Sequence, residues 1–458
     1  MSLGRLKLQT PSERPIDLIY GLEERPPLRQ TISVALQHVL AVFVGIVTPP
    51  LLISRSLKLS SADSAFLVSM ALFVSGLGTF IQTRRWGPVG SGLLSIQGTS
   101  FVFLGPIISV ASVAMAQGAS QKDALGVVFG LCLVTSFIPI LISPFLQLSG
   151  RIITPLVTGT VVTLIGLTLI EVAITSLGGG FEAKLAGHFG SLQNLGLGAV
   201  VIVVILLLNG SGKPWLRMTS IVVGLAVGYA LAAALGLIDF SALHVLPWVI
   251  APTPFRFGLG FRASALIPFS FLYLITAIES IGDLTATSSL TGQPLSGPVY
   301  FRRLRGGVLA DGLTSLLAAF FNSFPSTTFA QNNGVIQLTG VGSSYVGRFV
   351  GGMLMILGLF PMVGGVVEAM PQAVLGGATI IMFGTVAAAG IRILSSVDLD
   401  RRASTIVAVS LGLGLGVTFV PGIVQGMPAL VKDTFSSGIA TGGICALVLN
   451  AIMRGQRK

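Results

Sequence analysis

The sequence predicts an all-α polytopic membrane protein with about fourteen spans. Three observations lead there. Hydrophobic residues make up 52% of the 458 residues and charged residues only 9%, where a soluble domain carries about 25% charged residues. Apolar runs of about 17–25 residues, the length a helix needs to cross the hydrocarbon core, recur along the chain. Residues 32–53, 124–142, 152–170 and 221–237 are examples. Glycine is very common, with 58 residues, as suits closely packed membrane helices and breaks within them.

Taken in order, the spans centre near residues 43, 74, 104, 134, 162, 202, 228, 275, 314, 336, 356, 381, 411 and 445. Residues 1–30 are polar and charged, so no cleavable signal peptide is expected and the first span serves as the insertion signal. With the N-terminus inside, 20 of the 27 basic residues fall in inside segments and seven outside. Positive charge marks cytoplasmic loops, so both termini are expected in the cytoplasm. The net charge of +11 then reads as a topology signal with some attraction for anionic lipid, and not as a nucleic-acid footprint. Cys132 and Cys445 lie in apolar runs and read as small packing residues, not a disulfide or metal pair.

Two spans break the apolar rule. Gln97-Gly98-Thr99-Ser100-Phe101 lies in the third and Pro325-Ser-Thr-Thr-Phe-Ala330-Gln331-Asn332-Asn333-Gly334 in the tenth. Polar, Gly- and Pro-rich backbone at membrane depth survives only when it is buried in protein or lines a wet cavity. In carriers such breaks present half-helix ends and free backbone groups to a substrate. The two breaks stand seven spans apart. So do two Pro-then-Gly span starts, Thr154-Pro155 to Gly159 and Met370-Pro371 to Gly376. A second copy seven spans later would be inverted, as secondary carriers often are.

Most acids lie in tails or loops, but Glu279, Asp283 and Asp311 fall at membrane depth, where no Lys or Arg accompanies them. Hiding a carboxylate there costs about 2.5–3.5 kcal/mol on insertion scales, so such residues usually face a cavity and act in it. Glu279 and Asp283 are four residues apart and share one helix face. Two such carboxylates do not both ionise readily, which suits a reversible proton carrier. The plainer reading is a carboxylate bonded to Thr or Ser hydroxyls or backbone amides, and it suits Asp283 better than Glu279. Asp311 is a third proton site or a tie between spans. His38 in the first span is a packing residue or a proton relay. His188 and His244 fall in outside loops and suggest no role. Paired His ligands for a metal, a nucleophile beside a His and a phosphate-binding Gly-Lys-Ser/Thr loop are all missing from the sequence, which argues against an enzyme or an ATP-driven pump and implies no cofactor.

At these motifs the chain resembles the nucleobase–ascorbate transporter family, over nearly its whole length from about Leu18. Gln331-Asn332-Asn333-Gly334 followed by Thr339 matches the family signature, Gln37-His38 its first-span pair, and Glu279 its substrate-binding acid. The stretches Gln97–Phe101, Glu279–Thr287 and Gly306–Ala310 most resemble bacterial xanthine permeases. Uracil permeases carry an acid at the Gln331 position and His at the Asp283 position, which points to a purine here.

The resemblance implies two inverted seven-span repeats, with spans 3 and 10 broken by short β-strands. It implies a tail at 1–30, a core domain at 31–150 and 263–368, and a gate domain at 151–262 and 369–458. Glu279 and Gln331 would bond the purine, backbone near Phe101 and Ala330 with Ser100 would contact its edges, and Phe101 would stack on its ring. Asn332, Asp283, Asp311 and His38 would support the site or its proton. Some relatives carry Asn where this chain has Ser100. The implied activity is proton-coupled import of xanthine by an elevator-type homodimer in the bacterial inner membrane. The alternatives are a uric acid or broader purine permease, and an inorganic-anion carrier of the same fold. Xanthine offers lactam N–H donors, carbonyl acceptors and a flat ring, which an acid, an amide and an aromatic side chain complement.

Overall fold

The computed structural model describes residues 18–146, 154–238, 246–428, 431–432, 435 and 437–453. The tail charges before Leu18, Arg151 to Ile153, His244 and the basic residues after Met453 lie outside the described residues. The first half contains α1 (Leu28–Ser56), α2 (Ser61–Thr83), β1 (Gln97–Thr99), a 3-10 turn (Phe101–Phe103), α3 (Leu104–Ala116), α4 (Gln121–Thr135), α5 (Phe137–Ile142), α6 (Pro155–Leu177), α7 (Gly180–Leu185), α8 (Leu192–Asn209) and α9 (Pro214–Ala234). The second half contains α10 (Leu266–Leu290), α11 (Gly297–Phe320), β2 (Ser326–Thr328), α12 (Gln331–Thr339), α13 (Ser344–Gly358), α14 (Pro361–Glu368), α15 (Gln372–Ser395), α16 (Arg401–Phe419) and α17 (Gly438–Ile452).

All the span centres expected from hydropathy fall within helices. Among the described residues, eight helices are long and apolar enough to cross a membrane, or nine if α13 and α14, bent by 75° at their junction, count as one. The chain is therefore a multi-pass membrane protein. The remaining apolar helices are shorter or interrupted. α11 has 24 residues but carries Arg302, Arg303, Arg305 and Asp311. α3 and α12 are half-length, with 13 and nine residues, because a strand occupies the rest of each segment.

Glycine sets how closely the helices approach. α6 packs along α15, and a Cβ on Gly166 would meet the Ala387 backbone, one on Gly390 the Thr163 backbone and one on Gly376 the Leu177 backbone. α2 packs on α13 in the same manner, with Gly76 against the Gly351 carbonyl and Gly358 against the Phe73 backbone. Lipid supplies no hydrophobic drive between helices, so close van der Waals contact through small residues has to hold them.

Two connecting segments are stitched to this bundle. Ile19 N–H donates to the Gly340 carbonyl (2.8 Å), Gly342 N–H to Tyr20 (3.0 Å) and Ser344 N–H to Leu22 (2.9 Å). The chain ahead of α1 thereby lies against the chain that follows α12. Before α10, Ile250 N–H donates to Leu359 (2.9 Å), Phe255 N–H to Phe320 (3.0 Å) and Gly260 N–H to Gly126 (2.8 Å). Asn322, at φ 58°, donates to the Thr253 carbonyl (2.8 Å) and accepts from Phe257 N–H (3.3 Å). Asn tolerates this left-handed conformation better than most residues.

Candidate functional site

β1 and β2 pair antiparallel, with Gln97 opposite Thr328, Gly98 opposite Thr327 and Thr99 opposite Ser326. All six residues are buried. The pair satisfies backbone groups that would otherwise be orphaned at this depth, at a cost of several kcal/mol each. Ser100 N–H donates to the Pro325 carbonyl (2.8 Å) and Phe329 N–H to the Ile96 carbonyl (3.0 Å), which lengthens the pairing at both ends. Hydroxyls on neighbouring helices finish it: Thr79 accepts from Gln97 N–H (3.0 Å) and Ser315 from Ser326 N–H (3.1 Å). The Phe329 ring fills the space where a Cβ on Gly98 or Gly45 would stand, so glycine at position 98 is a packing requirement of the strand.

The three carboxylates surround this pair. Glu279 and Asp283 lie one turn apart on α10 and meet consecutive residues of β2. The Thr328 hydroxyl donates to Asp283 Oδ2 at 3.0 Å, and the Thr327 hydroxyl approaches Glu279 Oε2 at 3.5 Å while lying 3.2 Å from the Ser280 hydroxyl. Asp311, buried on α11, accepts from the Gln97 side-chain amide of β1. The donors reaching the acids in these bonds are neutral, two hydroxyls and one amide, so they stabilise a negative charge without cancelling it.

The other expected residues gather at the same place. Gln331 begins α12 and is half-buried, and Ala330 just ahead of it is exposed. Asn332 is buried and donates to the Leu94 carbonyl, with its amide beside the buried His38 of α1. Asn333 accepts from the Thr287 hydroxyl of α10 at 2.7 Å. Ser100 is buried, and Phe101 is half-buried with its ring 5.2 Å from that of Phe383 on α15. α3 and α12 both begin within a few residues of their strands, which sets two helix N-termini, with their partial positive charge, beside the strand pair.

Four site residues received no role from the sequence: Gln97, Thr327, Thr328 and Phe383. The first three stood in the two polar breaks, and their hydroxyls and amide were the available signal. Nothing in the sequence tied Phe383 to Phe101. A surface cavity lies away from these residues. It measures about 440 Å³ and is lined by Asp63 and Lys122 at the start of α2 and α4 and by Arg256 of the segment before α10.

A helical membrane bundle with two strand-interrupted elements meeting beside buried carboxylates has the build of a secondary carrier. A model described as the Permease family matches residues 29–423. The chain belongs to that family, the nucleobase–ascorbate transporters, and is a permease and not an enzyme. It is 50% identical over 443 residues to xanthine permease XanP of Escherichia coli K12, covering 96% of both chains. It is 46% identical to xanthine permease XanQ of the same strain, covering 96% of this chain and 94% of that one. Identity to the uric acid permease PucJ of Bacillus subtilis is 34%, over 92% of each. Among solved structures the fold is similar to SLC26A9, with a TM-score of 0.63 at 14% identity over 94% of this chain and 67% of that one. It is also similar to the transmembrane domain of the cyanobacterial bicarbonate transporter BicA, with a TM-score of 0.60 at 14% identity over 88% and 99%.

Proposed function

We propose that the chain is a proton-coupled symporter that imports purine bases, xanthine foremost, by elevator-type alternating access. The observation that carries this reading is the set of three carboxylates, Glu279, Asp283 and Asp311, held by neutral donors around one buried strand pair. A substrate rich in N–H groups complements acids that lack a basic partner. In this reading Glu279 accepts from ring N–H and is the coupling carboxylate. The Gln331 amide both donates and accepts, backbone at Ser100 and Ala330 meets the ring edges, and Phe101 covers a face. Asn332 and His38 keep these groups in place, as do Asp283 and Asp311, whose own protonation also counts toward coupling. Similarity to xanthine permeases over 96% of the chain supports the substrate class.

The same reading takes fourteen spans in two inverted sevens, with a core at 31–150 and 263–368, a gate at 151–262 and 369–458, both termini cytoplasmic, and a homodimer. Helix packing supports the repeat: α2 packs on α13 as α11 packs on α4 and α5, and α8 on α9 as α16 on α17. Each pair maps onto the other by a shift of seven spans.

Radiolabelled xanthine uptake tests it. Uptake is expected to fall when a protonophore collapses the gradient, and in Glu279→Gln by at least tenfold, the cost of about 1.4 kcal/mol at the transition state. Undiminished uptake in either case refutes the proposal. Competition by uric acid stronger than by xanthine would move the assignment to the uric acid reading, which the similarity to PucJ keeps in view. An inorganic-anion carrier is the reading the fold alone would allow, and the site opposes it because three carboxylates without a basic side chain outweigh the partial charges of the two helix N-termini beside the strand pair.

A further inference from the structure

The strand register carries a consequence for coupling. Gln97 and Thr328 are direct partners across β1 and β2. Gln97 donates to Asp311 on α11, and Thr328 donates to Asp283 on α10 at 3.0 Å. One rung of backbone pairing therefore joins two carboxylates that lie on different helices. The next residue of β2, Thr327, opposite Gly98, reaches Glu279 and Ser280. We infer that Gln97 and Thr328 are a matched pair of positioning residues that make the substrate site sense protonation of Asp283 and Asp311. This rests on the proton-coupled reading above.

Donor and acceptor roles change when a carboxylate gains a proton. An ionised carboxylate only accepts, so the Thr328 hydroxyl and the Gln97 amide must point their hydrogens at it. A protonated carboxyl also donates. Thr328 can answer by rotating its hydroxyl, which then becomes the acceptor. The Gln97 amide answers by turning its carbonyl oxygen, which has no hydrogen-bond partner of its own among the described residues, toward Asp311. Both adjustments occur on a rung whose strands lead directly into Ser100 and Phe101 on one side and Ala330 and Gln331 on the other. The titratable groups facing the rung are Glu279 and Asp283 from α10, Asp311 from α11 and, through Asn332 of α12, His38 from α1.

The test uses the full-length protein in proteoliposomes, with Thr328→Val, Thr328→Ser, Gln97→Leu and the Thr328→Val/Gln97→Leu double variant. Two quantities are read across pH 5.5–8.5: xanthine accumulation driven by a pH gradient, and xanthine–xanthine exchange without one. Thr328→Val and Gln97→Leu are each expected to lose about tenfold more accumulation than exchange, the size of one lost hydrogen bond to a charged group. Their pH profiles should shift, and Thr328→Ser, which keeps the hydroxyl, should restore the wild-type profile. Because both side chains act through one rung, the double variant should lose less than the sum of the singles. Equal losses of accumulation and exchange, with an unshifted pH profile, would overturn the inference, as would strict additivity. If Thr328→Val fails to fold, Gln97→Leu from the opposite strand decides the pH profile alone. Wild-type protein that moves xanthine with no response to the gradient would instead remove the proton-coupled reading, and this inference with it.

Discussion

The Phe101 ring stands edge-on to the ring of Phe383, with centroids 5.2 Å apart and planes at 82°. Phe101 follows β1 and is half-buried, while Phe383 on α15 is fully buried. Edge-to-face geometry is the arrangement two aromatic quadrupoles prefer, worth about 0.5–1.5 kcal/mol beyond burial. Phe383 therefore fixes the tilt of the Phe101 ring without covering it.

Phe383→Ala releases that ring. The expected outcome is a KM for xanthine raised roughly tenfold with a smaller change in maximal rate, since a loosened stacking surface weakens binding more than turnover. Phe383→Leu, which keeps part of the apolar bulk but not the ring, should lie between. Uptake kinetics normalised to membrane expression check this, and a loss confined to maximal rate counts against it.

The α6–α15 seam predicts a sharp contrast between two glycines of the same helix. A side chain at Gly390 collides with the Thr163 backbone, whereas one at Gly384 meets nothing within 4 Å. Gly390→Val should abolish folded protein in size-exclusion profiles of solubilised membranes. Gly384→Val should leave the profile as in wild type.

Arg402 closes the end of α17. Its guanidinium donates to the Met453 carbonyl and, at 2.9 Å, to both the backbone and side-chain oxygens of Asn450. Arg402→Ala removes these bonds at once and should cost about 1–3 kcal/mol, the order expected for lost hydrogen bonds to a charged group. It would appear as a lower melting temperature in detergent. Arg402→Lys recovers only part, because an ammonium lacks the planar fork.

Asp63 and Arg256 form an ion pair at 2.8 Å with side chains 32% and 37% exposed. Exposed pairs contribute about 0.2–1 kcal/mol and weaken with salt. Arg256 also lies 4.4 Å over the Phe66 ring, a contact that Asp63 does not share. Arg256→Ala should therefore destabilise more than Asp63→Ala. High salt should erase the ion-pair share of the Asp63→Ala effect, leaving the share due to the Ser60 hydroxyl bond at the start of α2, and should leave most of the Arg256→Ala effect, as melting curves at two ionic strengths would reveal.

Much of this was legible in the sequence because hydropathy is a direct physical record of what a bilayer accepts. Each expected span centre fell on a helix for that reason. The breaks inside helices were harder to read. α4 gives way to α5 at Ser136, and α13 bends by 75° into α14 at Phe360-Pro361, yet neither turn needs a charge that would interrupt the apolar pattern. Glu279, Asp283 and Asp311 stood out because carboxylates at membrane depth are costly. Their donors, Gln97, Thr327 and Thr328, stood in the polar breaks, but nothing there said which acid each would meet. The Gln97–Thr328 register was out of reach as well: strands of three residues, buried throughout, have no alternation from which a register can be read. Phe383 is the one aromatic residue of α15, yet nothing in the sequence pairs it with Phe101.

The pairing of distant segments also orders the events of synthesis. Glu24 meets Ser343 across 319 residues, and Gln97 meets Asp311 across 214. At a ribosomal pace of about 5–20 residues per second, Glu24 waits on the order of half a minute for its partner to be made. β1 waits a shorter time, since Thr328, the partner of Gln97, is made ahead of Ser343 in the same stretch of synthesis. The strand pair is thus among the last parts of the chain up to α12 to close, and a nascent chain that stalls before β2 would leave the backbone groups of β1 without the partners that satisfy them.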